Sequence, residues 1–482
     1  MMATLFGADP ELASSSSSEL AEIGDQIDPV GQWLGDVDAV GVQQVAEALG
    51  GVADAASGLT RDLTSRVGGA SDLFGALASG TREVDQSLAD RLGLTPAPGQ
   101  APPGTAAPAG VAARDLPGAS TSSGAPRSPD SIVPGGDPVD VATGDVILRE
   151  TDVTLPGILP LVLVRSYRSS WRTGRWFGQS WMSSFDQRLM VTADRIIGAF
   201  ADGRVLTWAY PNGSAGSPML PVTGDAWPLL RNPDGSYAVS DPKRGLTWRF
   251  EHRAGYGTAD GGQGELPLVS VSDRIGHEIV FSYGPAGQPV AVTHSGGYHV
   301  RVTVTDGHVT SLALSGRGAT GGDVPLMSYE YDAAGNLAAV INSSGVPLRF
   351  SYDDAARLTS WTDRNGHSYR YIYDAQRRCI RGEGPGGALS ATFSYEPGVT
   401  RWTDATGAVT TYHVSDAALI AATTDPLGNV TRWDHDERGR VTARTDPLGR
   451  VTRYTFDDRG NLVAITRPDG SQVTAQYDEQ SQ

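Results

Sequence analysis

Cysteine is almost missing from this sequence: Cys379 stands alone, which excludes an internal disulfide and any cysteine-based zinc site. Lysine is equally scarce. Lys243 is the only one, in the turn-like stretch Asp241-Pro242-Lys243-Arg244-Gly245, so a phosphate-loop or Schiff-base lysine has no other candidate. Basic charge is short overall, 38 Lys and Arg against 55 Asp and Glu, a net charge of -17. A nucleic-acid or anionic-membrane surface needs the opposite balance. No apolar run approaches the roughly eighteen residues of a membrane helix, and the richest, Leu159 to Val164, contains Pro160. Met1 to Leu12 lacks the basic segment and apolar run of a secretory signal, so export would need a dedicated machine. Aromatics are nearly absent from the first 130 residues, where only Phe6, Trp33 and Phe74 occur, whereas all sixteen tyrosines lie at or beyond Tyr167. A chain of 482 residues divided in this way should hold two or three units of different architecture.

Residues 1–94 read as a small helical segment. Val45, Leu49, Val52, Ala56, Leu59 and Leu63 recur at helical steps, and Val84, Leu88 and Leu92 repeat the pattern. Gly50, Gly51 and Gly58 each cost about 1 kcal/mol relative to alanine, so these helices need packing partners. The segment is expected to act as an adaptor or plug. Trp33-Leu34-Gly35 resembles the Trp-x-Gly turn of helical hairpins exported by type VII secretion, which would make the segment an export signal. Residues 95–134 hold nine prolines and no aromatic residue, the composition of a disordered linker that cannot bury enough apolar surface to order itself.

Beyond Gly135 the pattern becomes short alternating runs broken by Asp-Gly and Asn-Gly pairs, the signature of strands joined by tight turns. Self-similarity sets the unit. Tyr331-Asp332, Tyr352-Asp353 and Tyr373-Asp374 recur every 21 residues, and His435-Asp436, Phe456-Asp457 and Tyr477-Asp478 keep the same step. A second motif lies half a period away: Asp425-Pro426-Leu427-Gly428, Asp446-Pro447-Leu448-Gly449 and Arg467-Pro468-Asp469-Gly470. Each unit thus predicts two turns and two strands. The aspartates should bond the turn backbone, and Gly335, Gly428, Gly449 and Gly460 should take the left-handed conformation. Counting weaker copies at Tyr283, Val304, Tyr395 and Val414 gives about ten units and about twenty strands. A flat sheet of that size would be roughly 95 Å long, so it should coil into a spiral wall.

The 21-residue Tyr-Asp units resemble the YD repeats of Rhs proteins, wall-associated proteins and teneurin shells. The stretch Gly136-Asp137-Pro138-Val139-Asp140-Val141-Ala142-Thr143-Gly144-Asp145, followed by Leu155-Pro156-Gly157, Arg165-Ser166-Tyr167-Arg168 and Gly178-Gln179-Ser180-Trp181, resembles the domain that opens an Rhs shell. The resemblance implies a mainly β fold with a cap over 135–265 and a coiled antiparallel YD shell over 266–482. It also implies a hollow cocoon that holds a toxin. The sequence reaches Gln482 within a unit and without the terminal core, so the shell is expected to be incomplete and to need a downstream core or toxin chain, or a secretion component, as partner. The family's self-cleavage motif begins Asp-Pro-x-Gly, but Asn429-Val430 and Arg450-Val451 do not continue it, and repeat turns explain both matches.

Catalytic residues, cofactors and metal ligands are expected to be none. The eight histidines form no helical metal-binding pair, and His277 and His367 each follow glycine in a repeat turn. Asp353-Asp354 and Asp457-Asp458 could in principle flank a glycosidic bond, but they too lie in turns. Trp171, Trp176 and Trp181 are candidate glycan-stacking rings, against the alternative that they fill the cap's own core. Three functions follow: a toxin-delivery shell used in interbacterial competition, a surface or secreted protein that binds carbohydrate or envelope polymer, and a truncated remnant without activity. Neither a nucleic-acid partner nor a membrane span is expected.

Overall fold

The computed structural model describes residues 128–477, apart from 211–215, 223, 254–255, 257, 260–262 and 319–320. The expected helices, most of the expected linker, and Asp478 lie outside the described residues. The last seven residues assigned to the linker, 128–134, are folded. Ser128 caps a short 3-10 turn, Pro129–Ser131, by accepting the Asp130 N–H, and Pro129 is buried. Val133 packs on the core, and Pro134–Gly135 pairs with Val139–Asp140. Composition over forty residues hid this anchor, because only its final turn finds apolar partners.

The described chain is mainly β, with no α-helix among the described residues. From Gln263–Asp273 to Gln472–Thr474, twenty strands pair antiparallel in strict chain order, each with the one before and the one after. Alternation drives this pairing. In Ser368–Tyr373, Tyr369 and Tyr371 are buried while Arg370 and Ile372 are exposed. The hairpin turns follow the expected positions. The Tyr-Asp turns, such as 332–336, 353–357 and 374–378, all fall on one rim of the wall, and the Asp-Pro-Leu-Gly turns fall on the other. On that second rim Leu427 and Leu448 are 88% and 77% exposed.

The expected boundary at 265/266 cuts a continuous strand. Gln263–Asp273 pairs through its first half with Arg188–Val191 and through its second half with Leu246–Phe250 and Glu278–Tyr283. Eleven residues are long enough to serve two ladders, so the strands assigned to the cap join the wall. One hydrophobic core accordingly runs from Val139 to Ile420. The wall also curls back on its own beginning. Gly460, in a late Tyr-Asp turn, lies so close to Ala226 that a Cβ on Gly460 would stand 2.5 Å from the Ala226 Cβ.

Candidate functional site

The turns repeat one device. In Tyr352-Asp353 the Asp353 Oδ1 accepts the N–H groups of Ala355 and Arg357 at 3.0 and 2.9 Å, and Oδ2 accepts Arg357 Nε at 2.7 Å. Asp332 does the same with Ala334 and Asn336, Asp374 with Arg378, and Asp457 with Asn461. On the opposite rim Asp425 binds Leu427 and Asn429, and Asp446 binds Leu448 and Arg450. His277 and His367 fill the same slot, four residues after Asp273 and Asp363. Hydrogen bonds from Asn429 hold the Asp425 carboxyl below its usual range. For Asp446, desolvation would raise the carboxyl, but the Arg450 N–H and guanidinium outweigh it. The left-handed position is Gly335, Gly428, Gly449 or Gly460 where glycine is present, and Ala356, Arg377 or Ala418 where it is not.

The tyrosines do something that turn chemistry does not predict. At Tyr283, Tyr331, Tyr352 and Tyr373 the ladder shifts register, so that Tyr352 faces Leu358 and Tyr373 faces Cys379 across a bulge, whereas Tyr395 pairs in register with Thr400. A bulge disturbs the ladder and leaves backbone polar groups to be paired elsewhere. The Tyr373 hydroxyl donates to the Leu358 carbonyl at 2.7 Å, Tyr395 to Cys379 at 2.6 Å, Tyr331 to Val309 at 2.6 Å and Tyr283 to Leu268 at 2.6 Å. Burial pushes these phenols up in pKa, which keeps them protonated donors. Arginines add a second tie between units. Arg357 lies 4.6 Å from the Tyr373 ring centroid, Arg378 4.4 Å from that of Tyr395, and Arg440 4.0 Å from that of Phe456.

The N–H groups of the same bulge residues are taken by the opening tract, residues 134–187. Leu358 N donates to the Tyr167 hydroxyl at 2.6 Å, Cys379 N to Gly144 O at 2.8 Å, Val309 N to Trp176 O at 2.9 Å and Leu268 N to Gln187 O at 3.0 Å. Ser180 donates to Ala356 O, Trp181 Nε1 to the Tyr352 hydroxyl, and Tyr371 to Asp137 O. The tract therefore crosses successive Tyr-Asp turns and is stitched to the wall at the points where the wall's own ladder is broken. Within it Arg165 and Asp152 form a buried two-pronged ion pair at 2.6 and 2.8 Å, and the Arg165 guanidinium lies over the Trp181 ring.

The three tryptophans raised as glycan contacts all lie in this tract. Trp181 is 1% exposed, between Tyr167 and Phe350, and Trp176 is 7% exposed. Neither ring offers a face to a sugar. Trp171 is half-buried, and a Cβ on Gly203 would meet its ring at 2.4 Å. Of the repeat-signature residues, Tyr331, Asp332, Gly335, Tyr352, Asp353, Tyr373 and Asp374 come together along the stitched rim, and Phe456, Asp457 and Gly460 lie where the wall meets Ala226. Asp425, Gly428, Asp446 and Gly449 lie apart, on the other rim. Tyr477 follows the last described strand. Sequence reasoning did not identify the bulge residues or the stacked arginines. The available signal was Arg, Asn or His four residues after each turn aspartate.

Known proteins carry the same two segments. A family model described as "RHS Repeat" matches residues 352–384, 418–451 and 435–472, and one described as "Domain of unknown function (DUF6531)" matches 136–208. The "Probable deoxyribonuclease RhsB" of Dickeya dadantii (strain 3937) is 28% identical over 293 residues, covering 59% of this chain and 19% of that protein. The "Double-stranded DNA deaminase toxin A" of Burkholderia cenocepacia (strain H111) is 26% identical over 252 residues, 49% of this chain and 16% of that protein. The chain thus spans less than a fifth of the length of these relatives. Among solved structures, TcdB2-TccC3-Cdc42 aligns over 72% of this chain and 23% of its own at 10% identity and a TM-score of 0.36. The Photorhabdus luminescens Tc holotoxin pore aligns over 70% and 26% at 11% identity and a TM-score of 0.32. The repeat matches fall on Tyr-Asp hairpins and the opening match on the tract stitched to them, and with these relatives they support this chain as an Rhs/YD-repeat family member.

Proposed function

We propose that this chain is a non-enzymatic shell portion of an Rhs-type delivery protein, which encloses or presents a toxic cargo in competition between bacteria and leaves the cell by a dedicated machine. The observation that carries the reading is the stitched rim. The tyrosines, aspartates and arginines of the stitched repeats are engaged in holding hairpins to each other and to the opening tract, which makes them a wall. The deaminase and deoxyribonuclease named in the relatives belong to proteins of which this chain spans less than a fifth. No helix among the described residues is long and apolar enough to cross a membrane.

Co-expression with the polypeptide encoded next to it tests the proposal. Limited proteolysis should leave that polypeptide intact only while this chain is present, and the purified chain alone should neither cut nor deaminate duplex DNA. Equal digestion with and without the chain, or nuclease or deaminase activity that co-purifies with it, would refute the reading.

A further inference from the structure

Where the late Tyr-Asp turns come back to the beginning of the fold, they enclose a cleft of about 710 Å³. Its walls include Trp227, Trp433 and Phe456, with Leu419 and Ile420 between them. All the acids around it except the exposed Glu437 are already engaged. Asp225 and Asp130 pair with Arg204, Asp436 pairs with Arg440 at 2.6 Å, and Asp241 accepts the N–H groups of Lys243 and Arg244. Two cations that line the cleft, Arg438 and Lys243, make no ion pair among the described residues. The Arg440 Nη1, buried beside them, has no hydrogen-bond partner. The half-buried Arg438 guanidinium is also held below its usual pKa by burial and by the neighbouring Arg440 charge, so a bound anion would relieve it. In a chain with a net charge of -17, a cleft lined by six Arg and Lys against five Asp and Glu departs from the overall acidity.

We infer that this cleft is a binding site for an acidic polypeptide segment, whose carboxylates pair with Arg438 and Lys243 and whose apolar side chains lie against Trp433 and Leu419. Charge complementarity favours this occupant over a nucleic acid. Two available cations suit scattered carboxylates, whereas a continuous phosphate backbone would also meet Asp225, Asp436 and Glu437. The half-buried Trp433 indole with its aliphatic neighbour Leu419 suits peptide side chains. The site does not depend on the shell carrying cargo and stands apart from that reading.

Lys243, as the sole lysine, gives a clean footprint. Full-length protein is titrated with an oligo-L-glutamate peptide, with binding followed by tryptophan fluorescence and Lys243 acetylation measured by mass spectrometry. Saturable binding that weakens with salt and protects Lys243 is expected. Arg438→Gln should weaken it at least tenfold, Arg438→Lys should largely retain it, and Arg349→Gln on the exposed wall should leave it unchanged. Melting curves matching the parent would exclude misfolding of the variants. Absence of saturable binding, undiminished binding by Arg438→Gln, or tighter binding of single-stranded DNA of equal charge would overturn the assignment.

Discussion

Two glycine substitutions measure whether the wall returns to its own beginning. Gly449 and Gly460 have the same role in equivalent turns, with φ of 77° and 85°. An alanine in this left-handed region costs about 1–2 kcal/mol, partly offset by the lower entropy of the unfolded chain, so each substitution should cost about 1 kcal/mol from conformation alone. Their surroundings differ. Nothing lies within 4 Å of a Cβ on Gly449, whereas a Cβ on Gly460 would stand 2.5 Å from Ala226 Cβ. Overpacking of that kind adds about 1–3 kcal/mol, so Gly460→Ala should cost about 2–4 kcal/mol in total. The obstructing atom is the Ala226 methyl carbon, so Ala226→Gly combined with Gly460→Ala should bring the cost back towards that of Gly449→Ala. Urea unfolding of the parent, Ala226→Gly, Gly460→Ala and the double variant gives the coupling energy directly, with Gly449→Ala as the reference for conformational cost. Equal costs for the two single alanine substitutions, with no rescue by Ala226→Gly, would mean that the late repeats do not meet the opening loop, and the cleft would lose one of its walls.

The remaining predictions test the stitches and the turns. Tyr373→Phe removes the hydroxyl that satisfies Leu358 O and should cost about 1–3 kcal/mol in denaturant unfolding. Arg377→Gly relieves an exposed residue held at φ 70° and should stabilise by about 1 kcal/mol, seen as a higher melting temperature. Burial against the wall pushes the Asp137 carboxyl up to about 6 from 3.8. The native state then binds a proton that the unfolded chain does not, so stability should rise as pH falls from 7.5 to 5. The gain from this group over that window is about 1.4 kcal/mol, and Asp137→Asn should reduce the difference between melts at the two pH values by about that amount. Burial pushes the Cys379 thiol up to about 12, so a thiol reagent at pH 8 should label it only as the protein unfolds.

The repeat wall was legible because its information is local. Asp353 and Arg357, or Asp425 and Asn429, are four residues apart, and the bonds they make are the ones that turn chemistry requires. Tyr373 was legible as a marker but not as a donor, since its partner Leu358 becomes available only through a bulge that composition does not announce. The path of the opening tract was illegible for a different reason. Tyr167 meets Leu358 across 191 residues and Asp137 meets Tyr371 across 234, and no periodicity connects them. Trp176 and Trp181 suited either sugar or core by type alone, and the burial of both, with Trp181 packed on Tyr167 and Phe350 and donating to the Tyr352 hydroxyl, places them in the core.

The arrangement couples each unit to the next in two ways that differ along the chain. Between neighbours, an aspartate orients an arginine, the arginine covers the next unit's ring, and that ring's hydroxyl reaches back to the first unit's bulge. In a stacked repeat, stability is close to a sum of such nearest-neighbour terms. From Leu268 to Cys379 four bulge residues have a second attachment, because the tract takes their N–H while a tyrosine takes their carbonyl. Later units place Val414, His435 and Phe456 at the tyrosine position, so the hydroxyl tie is lost there while the Arg440 stack on Phe456 remains. Those are also the units around the cleft. The wall is therefore pinned rigidly along the half that the opening tract crosses and held mainly by its neighbours and the Ala226 contact along the half that surrounds the cleft, which is the half able to yield when something enters.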